Sequence, residues 1–110
     1  MAGKRFEVLL TPEDRYEVEI VTDRGQVTQF TIRYDAYLQG AWHAIVIFDN
    51  HGGHAHQHLM DPITGKGEPR TIPLDLKEAV TYAIYKIQAM WEGWREQYKR
   101  RLQGGEPDLL

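Results

Sequence analysis

The sequence contains no cysteine among its 110 residues, which excludes a disulfide framework and leaves histidine and carboxylate side chains as the ligands for any metal. It also has no apolar run of the length that a bilayer span requires, so we expect no membrane partner. The N-terminal "MAGKRFEVLL" starts basic but continues into polar and acidic residues, unlike a signal peptide. The net charge of −3 gives no overall electrostatic case for nucleic acid. We therefore expect a small, cytoplasmic, globular protein.

The first two-thirds of the chain carries the patterns of five β-strands. In "RYEVEIVT" (15–22) and "TQFTIRYDAYL" (28–38), apolar and polar residues alternate with the period of two that a half-buried strand requires. Apolar runs predict further strands over 6–10 and 41–49, with turns over 22–26 and 39–40. After the loop that follows residue 49, the segment 54–60 is predicted to run back as a partner strand. The Gly- and Pro-containing segment 61–70 predicts an exposed connection.

A single long helix is predicted after this connection. Asp75 is a good N-cap with Glu78 three residues later, and apolar residues then recur at three- and four-residue steps to Leu102. The predicted fold is α+β: an antiparallel meander of about five strands followed by one long C-terminal helix packed across the sheet. One domain is expected over 1–103, with a flexible tail over 104–110. The helix would span roughly 40 Å, so its C-terminal half is expected to project from the sheet or to pack against a partner.

The stretch "IFDNHGGHAHQHLM" (47–60) holds four of the five histidines. On a strand over 54–60, His54, His56 and His58 would share one face, with successive Cα atoms about 6.6–6.8 Å apart. One hypothesis makes these three histidines ligands of Zn²⁺ or another divalent transition metal. The candidates for a further ligand are His51, Asp49 and His43.

The same residues also fit acid–base chemistry without a metal. Two imidazoles beside one phosphate can act as general base and general acid near neutral pH, while RNA supplies its own 2′-hydroxyl as nucleophile. The candidate catalytic residues are His56, His58, His54 and Asp49. Asn50 and His51 are candidate substrate contacts. The competing interpretation is a polar face with solvated histidines, but four histidines within eight residues favour a function.

Two other features have structural interpretations beside functional ones. His43 is expected to be a core or sheet-edge histidine that shares a face with Ile45 and Ile47. Basic residues crowd the end of the helix, where they complement its dipole. They could equally form a phosphate-binding patch, so the candidate substrate-binding set also includes Arg95, Lys99 and Arg100.

"FDNHGGHAHQH" resembles the R-Y-D-N…H-x-H signature of TumE-like proteins, the toxin partners in bacterial toxin–antitoxin pairs. The resemblance places Asp49, Asn50, His56 and His58 at the motif positions. The Arg-Tyr pair of the signature is replaced by residues 47–48, Ile-Phe, so the role of that arginine is absent or supplied by another residue. The resemblance implies strands first, a helix last, and a growth-inhibiting toxin that acts on RNA and is neutralised by an antitoxin.

Three hypotheses therefore stand. The first is a toxin-type ribonuclease that needs no cofactor and whose RNA cleavage survives EDTA. The second is a metal-binding protein or metalloenzyme, which would be purified with near-stoichiometric metal. The third is a non-enzymatic interaction module that forms a homodimer through its aromatic C-terminal helix, weakened by Trp91→Ala or Trp94→Ala.

Overall fold

The structure, a computed structural model, describes residues 1–104 and confirms the predicted α+β fold. Six strands form one antiparallel meander in which every strand pairs with its neighbours in the chain, and one helix follows. The bounds are β1 Ala2–Thr11, β2 Asp14–Asp23, β3 Gln26–Leu38, β4 Ala41–Asp49, β5 His56–Leu59, β6 Pro69–Thr71 and α1 Leu76–Leu102. Within residues 1–104, no helix combines the length and apolar composition needed to cross a lipid bilayer.

Two of the predicted turns are two-residue hairpin links. Arg24 and Gly25 have φ of 52° and 77°, and Gln39 and Gly40 have φ of 51° and 82°. Two successive residues with positive φ match the right-handed twist of the flanking strands, and glycine adopts this conformation without strain. These turns set the register of β2, β3 and β4.

The last two strands differ from the prediction. The strand predicted over 54–60 covers only His56–Leu59, and a sixth strand, Pro69–Thr71, pairs with it. The prediction of one exposed connection over 61–70 was therefore wrong at its end. Three residues that begin with proline are too few to produce a recognisable period-two pattern, so only the tertiary pairing reveals β6.

The helix lies along β3 on one face of the sheet. Trp91 contacts Tyr34 and Trp94 contacts Phe48, each pair with ring centroids 6.4 Å apart. The expectation that the C-terminal half of the helix projects is wrong, because Trp94 is only 7% exposed. The 13 residues of β3 extend about 43 Å, which matches the helix length of roughly 40 Å.

A buried polar cluster attaches the helix to the β1–β2 turn. The Tyr34 hydroxyl donates to Asp14 Oδ1 at 2.6 Å, and Arg95 Nε lies 3.2 Å from the same oxygen without hydrogen-bond alignment. Burial, and then the hydrogen bond to the Asp14 carboxylate, raises the pKa of Tyr34. Asp14 is 3% exposed, so the cluster is part of the core.

At the end of the described chain, Gly104 donates its amide to Arg101 O at 3.0 Å in a turn that follows the helix. The remainder of the predicted tail, 105–110, lies outside the described residues.

Candidate active site

The two histidines of β5 lie on the face of the sheet opposite the helix. His56 pairs with Asp49, and His58 pairs with Ile47. Phe48, between these two β4 residues, packs against the helix, and side chains alternate across a strand. The helix-free side, here called the open face, therefore presents His56, His58 and Asp49 together.

His58 has an oxygen near each of its two ring nitrogens. Its Nδ1 lies 3.1 Å from the Gly67 carbonyl oxygen, and its Nε2 lies 3.5 Å from Asp49 Oδ1. Because a carbonyl oxygen only accepts, Nδ1 must carry a hydrogen to make the first bond. The contact between Nε2 and Asp49 is an ion pair only when the ring is protonated. The His58 side chain is 23% exposed, so the ring remains within reach of a ligand.

His56 has different surroundings. Its ring centroid lies 6.3 Å from that of His58, with the ring planes at 64°. Within residues 1–104 its Nδ1 is buried without a hydrogen-bond partner, and the residue as a whole is half-buried. The pair thus consists of one ring that is hydrogen-bonded to a backbone carbonyl and lies near a carboxylate, and one half-buried ring with an unpartnered Nδ1.

The other predicted histidines of the segment lie in the loop that precedes β5. His54 is exposed two residues before the strand begins, so the prediction that it shares a strand face with His56 and His58 is wrong. His51 is also exposed, and its backbone amide donates to Asp49 Oδ1 at 3.3 Å. Among residues 1–104, no group of three or more histidine, aspartate or glutamate side chains is placed to hold a metal ion.

Asn50 uses both ends of its amide on the backbone of β3. Its Oδ1 accepts from the Phe30 amide at 3.0 Å, and its Nδ2 donates to the Thr28 carbonyl at 3.1 Å. Asn50 is 9% exposed and extends the β3–β4 pairing beyond the end of β4. The structure therefore gives this side chain a structural contact, and the predicted contact with substrate remains a prediction.

The basic helix end lies on the other side of the sheet from the histidine pair. Arg95 lies against Asp14, as described above, while Lys99 is partly exposed and Arg100 exposed. Arg101 donates to Asp61 Oδ2 at 3.0 Å. The hydrogen bond from the Ile63 backbone amide lowers the pKa of Asp61, and the hydrogen bond and charge of Arg101 lower it further. The structure does not bring this cluster together with His56 and His58.

His43 is a hydrogen-bonded, partly buried histidine, as predicted. Its Nε2 lies 3.1 Å from the Leu38 carbonyl and its Nδ1 lies 3.4 Å from the Tyr98 hydroxyl. Its predicted face was wrong, because a bulge beside Tyr34 and Asp35 shifts the register so that His43 faces the helix with Val46 and Phe48. Burial raises the pKa of Tyr98, and the charge of Asp61 adds to this.

Sequence reasoning missed two contributors to the open face. The Gly67 carbonyl reaches His58 across a loop, and no residue pattern encodes a backbone acceptor. Arg33 lies in the same cross-strand row as His58, with Ile47 between them. Its alternation within β3 could have placed it on this face. Arg33 Nε donates to Asp35 at 2.8 Å and its Nη2 to Glu17 at 3.2 Å, so its charge is already paired.

Comparison with known proteins gives a family and no established activity. Residues 1–104 match the family model described as a domain of unknown function, DUF7718. No curated protein and no solved structure matches the chain significantly. Since the match spans nearly the whole chain, this protein belongs to the DUF7718 family.

Proposed function

We propose that this protein is a metal-independent ribonuclease in which His56 and His58 are the catalytic base and acid. The observation that carries the proposal is the pairing of two neighbouring imidazoles with unequal surroundings on an open face, 6.3 Å apart. General acid–base catalysis needs one group that can take a proton and one that can give a proton at the same substrate.

The reaction follows from those surroundings. Nε2 of His56 takes the proton of a 2′-hydroxyl, and the 2′-oxygen attacks the adjacent phosphorus. The bond from phosphorus to the 5′-oxygen breaks, and the protonated Nε2 of His58 gives its proton to that oxygen. The products are a 2′,3′-cyclic phosphate and a 5′-hydroxyl. The Gly67 carbonyl orients the His58 ring through Nδ1, the nitrogen that does not react. The 5′-oxygen must take the place of Asp49 beside Nε2 to receive the proton.

Arg33 is a cation of the open face, and we propose it as a contact for a flanking phosphate. Two strand spacings separate it from His58, which is about 10 Å. Its side chain is 40% exposed although it pairs with Glu17 and Asp35. Binding of an anionic substrate here must compete with those carboxylates, so we expect modest affinity for RNA.

The test is cleavage of a single-stranded RNA oligomer in the presence of EDTA. His56→Ala and His58→Ala should each reduce the rate by about 10²–10⁴-fold, the usual contribution of general acid–base catalysis. His54→Ala is the matched control and should cleave like wild type, because His54 is exposed in the loop outside the pair. Cleavage that survives in either β5 variant would overturn the proposal.

The metal-centre alternative predicts the opposite response. Untagged protein would then contain near-stoichiometric zinc or another transition metal by elemental analysis, and EDTA would abolish its activity. Of the predicted ligands His54, His56 and His58, the last two would be replaced first, because they share one face of the sheet and His54 does not.

The biological role that we propose is that of the toxin in a bacterial toxin–antitoxin pair, acting in the cytoplasm. Its support is the likeness of 48–58 to the TumE-like signature, which includes both catalytic histidines. Induced expression should arrest growth, and His58→Ala should relieve the arrest at an equal protein level. If the wild-type protein and His58→Ala both arrest growth, the toxicity does not depend on cleavage. If the wild-type protein cleaves RNA without arresting growth, only the toxin role is contradicted.

A further inference from the structure

The two edges of the sheet are very different. The β6 edge consists of three residues and begins with Pro69, which cannot donate a backbone hydrogen bond. The β1 edge consists of the ten residues Ala2–Thr11, contains no proline, and has a neighbouring strand on one side only. Long edges with unpaired backbone groups are templates for strand addition, and natural proteins usually shorten, charge or cover them.

The sequence of β1 is complementary to itself. Two copies related by a two-fold axis perpendicular to the sheet pair antiparallel, with the same side chains on the same face. If the axis passes at Phe6, Arg5 of each copy lies opposite Glu7 of the other. Arg5 already bonds Glu17 within its own chain, and in this register it gains a second carboxylate across the edge. Residues Ala2–Leu10 all find partners in this register.

The neighbouring registers are unfavourable. An axis at Arg5 places two arginines directly opposite, and an axis at Glu7 places two glutamates opposite. Like charges in directly opposed positions destabilise a strand pair. An axis at Phe6 avoids both arrangements and brings the two Phe6 rings together on the helix side, where each ring is only partly buried in one copy.

We infer that the β1 edge is a homodimerisation surface on which a second copy of this chain adds its own β1 antiparallel, with Arg5 paired to Glu7 of the other copy. The dimer is a continuous sheet with both helices on one side and both histidine pairs on the other. Leu9, 64% exposed on the open face, lies opposite Gly3 of the second copy and is partly covered. This assembly does not depend on the proposed catalysis.

The test is molar mass by light scattering over a concentration series, with charge reversals in β1. Wild type should be a dimer, and Arg5→Glu and Glu7→Arg should each raise the dissociation constant at least tenfold. The double variant Arg5→Glu/Glu7→Arg restores opposite charges across the axis and should recover the dimer. Circular dichroism should show that all variants are folded. A wild-type protein that stays monomeric, or a double variant as weak as the single ones, would overturn the inference.

Helix variants distinguish this surface from a dimer formed through α1. Tyr85 and Met90 are 67% and 41% exposed on the helix. Tyr85→Glu and Met90→Glu should leave the β1 dimer intact. If they dissociate it while the β1 reversals do not, the interface is the helix and the assignment to β1 is wrong.

Discussion

His58 connects the proposed chemistry to a single backbone carbonyl. The Gly67 carbonyl holds Nδ1, which directs Nε2 towards Asp49 and the open face. Gly67 itself has no room for a side chain, because an added Cβ would lie 2.8 Å from the Leu59 carbonyl oxygen and 2.9 Å from Met60 Sδ. The glycine is therefore required for the position of the carbonyl that orients the catalytic ring.

Gly67→Ala should therefore affect stability and cleavage together. The forced shift should lower the free energy of unfolding by about 1–3 kcal/mol, as overpacking usually does. It should also lower the cleavage rate well below that of Lys66→Ala, a control at the neighbouring exposed position. Urea unfolding and RNA cleavage of both variants measure this. Cleavage by folded Gly67→Ala at the wild-type rate would contradict the orienting role of the carbonyl.

Asn50→Ala tests whether this residue is structural. The substitution leaves the Phe30 amide and the Thr28 carbonyl without the partners they have now. We expect a loss of about 2 kcal/mol in the free energy of unfolding, because buried polar groups would be left unsatisfied. His51→Ala, in the adjacent exposed turn, is the control and should unfold like wild type. A folded Asn50→Ala protein with unchanged stability but a raised KM for RNA would instead favour the substrate contact.

Tyr34 gives the protein an alkaline dependence of stability. Its pKa is raised in the folded state, whereas in the unfolded chain it has the ordinary value of about 10. Above that pH the unfolded chain loses the proton and the folded protein keeps it, so the free energy of unfolding falls as pH rises.

Tyr34→Phe should make the stability profile flatter between about pH 9 and pH 11, around the ordinary tyrosine pKa. It should also lower stability at neutral pH by about 1–2 kcal/mol, because buried Asp14 loses a donor. Tyr85→Phe, on the exposed surface of the helix, is the control. Equal alkaline slopes for wild type and Tyr34→Phe would contradict this account.

Among the elements, the helix start is the best anticipated. The Asp75 carboxylate accepts from the Glu78 amide at 2.8 Å, as the capping pattern predicts, and this bond lowers the pKa of Asp75. Because folding lowers this pKa, the ionised carboxyl stabilises the fold at pH values above about 3.8, the ordinary pKa in the unfolded chain. The contribution is lost as the pH falls through the lower pKa of the folded state.

Asp75→Ala should lower the melting temperature measured by circular dichroism at pH 7. The difference from wild type should shrink as the pH falls from about 4 through the lowered pKa of the folded state, below which the carboxyl is protonated in both states. Asp75→Asn, which keeps an acceptor oxygen at the N-cap, should fall between the two. If the difference in melting temperature between Asp75→Ala and wild type does not change with pH, the charge of the Asp75 carboxylate does not stabilise the helix.

Long regular elements could be predicted from the sequence, while short and irregular ones could not. The alternation of β2 and β3 and the steps of α1 repeat over enough residues to give both the element and its buried face. The β4 bulge inserts a residue without changing the local pattern, so it reversed the predicted face of His43. β5 and β6 depend on their pairing with each other, and the position of His54 could not be inferred without them.

At the scale of the whole molecule, the sheet separates the histidine pair from the basic helix end. The sequence predicts both as parts of one site. Cross-strand pairing brings Asp49, His56 and His58 together, although the loop of 50–55 separates the aspartate from the histidines. The basic helix end lies on the far side of the sheet. The sequence could not reveal this separation, because the relative placement of sheet and helix arises from packing.

The most direct test of the histidine-pair mechanism is the chemical identity of the RNA ends that the wild-type protein forms in EDTA. Attack by the 2′-hydroxyl predicts fragments with 2′,3′-cyclic phosphate and 5′-hydroxyl ends, which mass spectrometry identifies. It also predicts no cleavage at a position carrying a 2′-deoxy sugar. Fragments with 3′-hydroxyl and 5′-phosphate ends, or intact RNA, would contradict the mechanism proposed for His56 and His58.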